Sequence, residues 1–270
     1  MLRFTLLLFC FYFSLSVKNT KVVVRKTLKH DDHCFTQGLL FHDNVLYESC
    51  GLYEKSSLRK VNPQTGEVLK VEKIDNEIFA EGITIAEDKI WMLTWKNKKL
   101  LVFNVETLKH IATLSIDTFN GEGWGLTFDG HQLIASDGTD KILFYDVPNI
   151  KNSGKKVIHS RLITVNDPKT SKKYVHINEL EYADGFIYAN VWYKDLILKI
   201  DPSNGVIVSK YDMTNLYPKS SRTYSADCLN GIAFNESDSS FLLTGKQWPS
   251  YYKVNFKDFV SSDSNNSVDL

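Results

Sequence analysis

The chain has 270 residues, with 32 basic and 32 acidic side chains and no formal net charge. Apolar residues make up 43% and charged residues 24%, a globular balance that excludes a disordered or fibrous chain. The neutral charge also argues against nucleic acid as a partner, because phosphate binding needs clustered Lys and Arg.

Residues 1–16 read as a secretory signal. Arg3 is the short basic region, residues 4–15 are almost wholly apolar, and Ser14 and Ser16 are small side chains before a cut near Ser16–Val17. The apolar run is short for a membrane span, and no later segment is long enough. The expectation is therefore a soluble chain of the secretory pathway, lumenal or extracellular, with no membrane contact once the signal is removed. Cys10 leaves with the signal. Cys34, Cys50 and Cys228 remain, which allows one disulfide and one free thiol, with the pairing open. Asn235-Glu236-Ser237 and Asn265-Asn266-Ser267 match the N-glycosylation pattern.

Residues 21–28 form a strand-like run that stands outside the pattern that follows it. His30-Asp31-Asp32-His33 then leads into a strand and lacks the helical spacing of a metal pair, so no metal site is expected there. Next comes a repeat: a polar or aromatic residue, usually Gly, then Leu or Ile. Its copies are Gln37-Gly38-Leu39, Glu81-Gly82-Ile83, Trp124-Gly125-Leu126, Asn178-Glu179-Leu180 and Asn230-Gly231-Ile232, spaced 44, 43, 54 and 52 residues apart. Second apolar runs follow at residues 45–49, 89–95, 132–136, 186–192 and 240–244. Third runs follow at 58–61, 100–105, 141–147, 196–200 and 251–256. Turns such as Asn62-Pro63-Gln64-Thr65-Gly66 and a fourth run close most units.

Four strands per unit and five units predict an all-β fold, a five-bladed β-propeller. The fifth unit lacks its fourth strand, and residues 21–28 are expected to supply it and close the ring, which protects strand edges that would otherwise template aggregation. The long spacings place surface loops at residues 149–176 and 213–228. The domain is expected over residues 17–260, with a disordered tail at 261–270.

In such a ring the repeat positions converge at one end of the central channel. Gln37, Glu81, Trp124, Asn178 and Asn230 should meet there, joined by Trp95, Trp192 and Lys246 from the second strands. A carboxylate ringed by aromatics has its pKa raised by desolvation and suits proton transfer near neutral pH. Gly121-Glu122-Gly123-Trp124-Gly125 lacks the Lys of a phosphate loop, and no Gly-x-Ser-x-Gly elbow occurs.

These motifs resemble the plant- and bacterial-type glutaminyl-peptide cyclotransferases. The resemblance is carried by Phe35-Thr36-Gln37-Gly38-Leu39, Phe79-Ala80-Glu81-Gly82-Ile83-Thr84, Leu93-Thr94-Trp95-Lys96, Gly121-Glu122-Gly123-Trp124-Gly125-Leu126, Asn178-Glu179-Leu180-Glu181-Tyr182, Ala189-Asn190-Val191-Trp192 and Thr244-Gly245-Lys246-Gln247-Trp248-Pro249. It covers roughly residues 30–256 in consistent order. It implies a five-bladed propeller that converts N-terminal glutamine of peptides and proteins to pyroglutamate and releases ammonia. It implies site residues Phe35, Gln37, Phe79, Glu81, Trp95, Trp124, Asn178, Trp192 and Lys246. It implies no cofactor for catalysis, while a structural calcium remains open, and a closed propeller has no need of a partner subunit. Glu81 is then expected to act as base and acid, with Lys246 and Gln37 or Asn178 donating to the carbonyl oxygen. The three indoles are expected to shape the pocket and donate N–H bonds, and Phe35 and Phe79 to exclude water. A plain salt bridge between Glu81 and Lys246 is the competing role. The competing functions are a peptide-binding propeller without turnover and a metal-dependent hydrolase.

Overall fold

The computed structural model describes residues 18–20, 22–152 and 155–256. The expected signal, the tail and the second glycosylation pattern lie outside the described residues. Five sheets, each built on four antiparallel strands, form the blades. Blade 1 comprises Thr36–His42, Val45–Cys50, Ser57–Val61 and Val68–Lys73, and blade 2 comprises Ala80–Ala86, Lys89–Thr94, Lys99–Asn104 and His110–Ile116. Blade 3 runs through Leu126–Phe128, Gln132–Ser136, Lys141–Asp146 and Arg161–Thr164. Blade 4 contains Ile177–Ala183, Phe186–Val191, Leu196–Ile200 and Ile207–Asp212. Blade 5 has Leu229–Asn235, Ser240–Gly245 and Ser250–Phe256, and its outer strand is Val22–Lys29. The N-terminal strand therefore closes the ring as expected. It runs antiparallel to Ser250–Phe256, with Val22 opposite Phe256 and Lys29 opposite Ser250.

Two features depart from the sequence reading. The stretch 149–176 is not only loop, because Arg161–Thr164 is the fourth strand of blade 3 and Lys156–Val157 adds a parallel edge to blade 2. Ile163 and Val165 are buried there, and the Arg161 guanidinium lies 3.4 Å from the Phe144 ring centroid. The apolar signal is only a few residues long, and the Lys-rich stretch around it hides it. Lys18–Thr20 also pairs, parallel to Ile207–Asp212 on the outer edge of blade 4.

Alternation along each strand buries one face against the next blade. Ile83, Met92, Leu101 and Phe103 of blade 2 pack with Leu40, Tyr47 and Leu58 of blade 1. Tyr188 and Tyr211 of blade 4 stack on Phe256 of blade 5 at centroid distances of 5.7 and 4.0 Å. Full burial of each large apolar side chain contributes roughly 1.5–3 kcal/mol. The repeat glycine has a packing reason. A Cβ on Gly82 would sit 2.4 Å from Leu126 N, and one on Gly125 would sit 2.2 Å from Asn178 O. Neighbouring inner strands approach this closely because the residue between them has no side chain.

The ring seam carries a buried polar cluster. His30 follows the closing strand directly, and its Nε2 lies 2.9 Å from Glu48 Oε1 of blade 1. Its Nδ1 meets Trp248 O at 2.5 Å. Glu48 also accepts from Thr36 Oγ1 at 2.8 Å and from the Tyr251 hydroxyl at 2.9 Å. Beside this cluster Cys34 is bonded to Cys50, 16 residues away, and Cys228 is a buried free thiol. A cross-link closing a loop of about 15 residues stabilises by about 3 kcal/mol through the unfolded chain. Reduction is therefore expected to lower unfolding stability by about that amount, as read from urea midpoints with and without dithiothreitol.

Candidate active site

The inner strands aim the repeat side chains by a common local device. The pairing register of blade 1 jumps between Thr36 and Gly38, so Gln37 is the extra residue of a bulge. Equivalent irregularities fall between Ala80 and Ile83, Ile177 and Leu180, and Leu229 and Ile232. A bulge turns a side chain out of the regular alternation, here toward the channel mouth. In blade 3 the regular strand begins only at Leu126, after Trp124-Gly125.

Phe35, Gln37, Phe79, Glu81, Trp95, Trp124, Asn178, Trp192 and Lys246 line one pocket of about 210 Å³, together with Tyr193 and Asp227. All nine residues expected from the sequence therefore gather in one place. The walls are aromatic. Phe35 meets Phe79 edge-on at 6.1 Å, Phe79 meets Trp95 at 5.4 Å, and Trp124 meets Trp192 at 5.3 Å. Tyr193 lies against Trp192 at 4.4 Å on the exposed rim. The remaining two of the five Trp, Trp91 and Trp248, are buried core residues.

The polar groups are few. Glu81 is 4% exposed and accepts from Gln37 Nε2 at 3.1 Å. Burial pushes its pKa well above the usual carboxylate value. The Lys246 charge opposes that shift and the Glu122 carboxylate adds to it. Lys246 acts on Glu81 through space, and its Nζ lies 4.8 Å from the Phe35 ring centroid. Asn178 Oδ1 is buried without a hydrogen-bond partner. Asn178 lines the pocket, so this oxygen has capacity to accept a hydrogen bond there.

Two expectations need correction. Asn230 stands behind the pocket lining, and its Nδ2 donates to Thr36 O at 2.9 Å and to Gln37 Oε1 at 3.3 Å. It thereby turns the Gln37 amide so that nitrogen faces Glu81. The indoles of Trp95 and Trp124 do not offer free N–H groups either. Both donate to Glu122 Oε2, at 2.8 and 3.0 Å. Sequence reasoning also missed Tyr193 and Asp227. Tyr193 adjoins a recognised Trp, whereas nothing in the pattern around Asp227 marks it.

A calcium site asks for six to eight oxygen ligands. Among the described residues, two groups of three potential side-chain ligands cluster, His30 with Cys34 and Glu48, and Asp31 with Asp32 and His33. The first contains a disulfide sulfur and a carboxylate already bonded to three side chains. The second is an exposed turn whose Asp31 is held by Arg59 at 2.8 Å. Neither set fits a calcium cage.

Residues 11–256 match the family described as glutamine cyclotransferase. A glutaminyl-peptide cyclotransferase of Arabidopsis thaliana is 33% identical over 261 residues, covering 94% of this chain and 77% of that one. The crystal structure of Myxococcus xanthus glutaminyl cyclase superposes with a TM-score of 0.78 at 29% identity, covering 89% of this chain and 98% of that one. The WD40 repeats of RRP9 align with a TM-score of 0.51 at 10% identity, over 90% of this chain and 100% of that one, a likeness of fold alone.

Proposed function

The chain belongs to the glutamine cyclotransferase family of enzymes, and we propose that Glu81 moves the protons as it closes N-terminal glutamine to pyroglutamate. The reaction is intramolecular. The α-amine nitrogen attacks the side-chain amide carbon, a five-membered ring forms, the old C–N bond breaks and ammonia leaves. No enzyme nucleophile is required. The observation that carries the reading is one buried carboxyl of raised pKa, set in an aromatic pocket beside one ammonium and one unpartnered amide oxygen.

The pocket's first task is orientation. An extended glutamine must fold its amine onto its own amide, and holding that conformer lowers the barrier by up to about 7–11 kcal/mol. Phe35, Phe79 and the indole faces of Trp95, Trp124 and Trp192 exclude water and fit the hydrocarbon part of the side chain. Asn178 Oδ1 accepts a hydrogen from the substrate amine. The second task is proton management. The attacking amine must be neutral, and its solution pKa is about 7.7–8.0. Gln37 holds one oxygen of Glu81, which leaves the other to take the amine proton and return it to the departing nitrogen. Lys246 supplies positive charge for the carbonyl oxygen as it becomes an oxyanion. These groups complete the cycle with protein side chains, so catalysis is proposed to be metal-independent. The Cys34–Cys50 disulfide fits an oxidising compartment, and the reading includes secretion as a monomer after signal removal.

The test is direct. The purified chain is incubated with a peptide beginning in Gln, and ammonia and peptide mass are followed with and without EDTA. The expected result is loss of one ammonia per peptide in both, and none from the same peptide acetylated at its amine. Folded protein that binds the peptide without ammonia release would overturn the reading in favour of a binding propeller. Turnover abolished by EDTA would overturn the metal-independent part.

A further inference from the structure

We infer that Glu122, which lies outside the pocket lining, is a positioning residue that locks the Trp95 and Trp124 indoles into the walls around the substrate. The inference rests on the reading of the pocket given above. One oxygen, Glu122 Oε2, accepts from both indoles, Trp95 of blade 2 at 2.8 Å and Trp124 of blade 3 at 3.0 Å. Hydrogen bonds to a carboxylate are about twice as strong as neutral ones. Neither ring can rotate about its side-chain bonds without breaking such a bond. The shared oxygen also joins walls that come from different sheets, so it fixes their relative angle as well as each plane.

The glycine-rich segment is built to deliver this carboxylate. Gly123 N donates to Trp95 O at 2.9 Å, and a Cβ on Gly123 would lie 2.8 Å from Thr94 O. The backbone can therefore press against blade 2 only with Gly at that place. Asn120 Oδ1 accepts from Glu122 N at 2.9 Å, and Asn120 is itself clamped to Asp137 through its backbone N–H and its side-chain amide, at 2.9 and 2.7 Å. On the solvent side Lys96 Nζ lies 3.8 Å from Glu122 Oε1 and 4.0 Å from the Trp95 ring centroid. The sequence feature that fails as a phosphate cradle thus has a function of its own: it brings an anion to the back of two indoles.

The test compares Glu122→Ala, Glu122→Asp and Glu122→Gln with wild type. Displacing a wall by about 1 Å costs on the order of 10²-fold in rate. Glu122→Ala is expected to lower kcat/KM by about that factor, with the larger share in kcat, because the lost element orients rather than attracts. Glu122→Asp keeps the charge but shortens the arm, and is expected to behave like the Ala variant. Glu122→Gln keeps an acceptor oxygen at full length and is expected to recover to within about tenfold of wild type. The near-ultraviolet tryptophan circular dichroism should change in the Ala and Asp variants and persist in the Gln variant. That signal is read without substrate. A wild-type protein that releases no ammonia would therefore sink the functional reading while the dichroism still decides whether Glu122 orders the indoles. Wild-type kinetics and an unchanged tryptophan signal in folded Glu122→Ala would overturn the inference. Should that variant not fold, the same two results in Glu122→Asp would overturn it.

Discussion

Replacing Glu81 by Gln is expected to lower kcat by about 10²–10⁴-fold, the usual contribution of a positioned proton-transfer group. The substitution preserves shape, and the new amide oxygen can still accept from Gln37 Nε2, which now lies 3.1 Å from Glu81 Oε1. The variant should therefore remain folded and still bind peptide, so that only proton transfer is lost. The pH dependence gives a second signature. The carboxylate form must accept the amine proton, and burial raises the Glu81 pKa well above 4.5. As pH falls through that raised value the carboxylate disappears and kcat/KM falls with it. The acid limb should therefore combine the Glu81 carboxyl, well above pH 4.5, with the substrate amine at about 7.7–8.0, and the Gln variant's residual activity should keep only the amine's part. Initial rates across pH, with ammonia as the readout, check both. Near-normal turnover by Glu81→Gln would remove Glu81 from the mechanism and leave orientation as the main source of catalysis.

Replacing Glu179 by Leu is expected to destabilise the fold by about 2–6 kcal/mol with the site residues untouched. Glu179 occupies the place where the other four repeat copies have Gly, and its carboxyl reaches across the channel to the two blades flanking the seam. Oε1 accepts from Leu39 N of blade 1 at 3.3 Å, and Oε2 accepts from Ile232 N of blade 5 at 2.9 Å. Leu fills comparable space but leaves two buried amides unpaired, at about 1–3 kcal/mol each. Urea midpoints measure the loss, and a midpoint equal to or above wild type would refute it. Glu181 adds a pH term. Burial pushes its pKa up to about 8, against the hydrogen bond from Phe234 N at 2.7 Å. Between about pH 4.5 and 8 the folded chain holds a proton that the unfolded chain releases. Stability therefore falls as pH rises through that window, the reverse of an ordinary paired carboxylate. Glu181→Gln should flatten this part of the profile.

Both results bear on how a propeller divides its labour. The channel mouth holds the aromatic pocket with Glu81 and Lys246. Deeper in, Glu179 ties blade 4 to blades 1 and 5. The seam between the closing strand and blade 1 has its own lock in His30, Glu48, Thr36 and Tyr251. Glu81, the carboxyl proposed to move protons, touches different neighbours from Glu179 and Glu48, so separate substitutions are expected to alter activity and stability.

The amino-acid sequence by itself determined the blade count and the closure of the ring. Each blade is a run of short antiparallel hairpins, so its signals recur locally along the chain at a readable spacing. The missing strand of the fifth unit and the spare run before the first made closure follow from edge pairing. The nine residues that the structure gathers in one pocket were singled out in the sequence through the family resemblance, because their motifs occur in the same order. Tertiary structure alone decided the rest. Three thiols allow three pairings, and Cys34 meets Cys50 because the hairpin of blade 1 places Thr36 opposite Cys50. Asn230 belongs to the repeat, yet it orients Gln37 from behind because blade 5 closes against blade 1. Glu122 reads as one acidic residue in a glycine-rich turn until two indoles from adjacent blades turn the same edge toward it. Such contacts join residues far apart in the chain or depend on side-chain torsions, and neither leaves a periodic trace in the sequence.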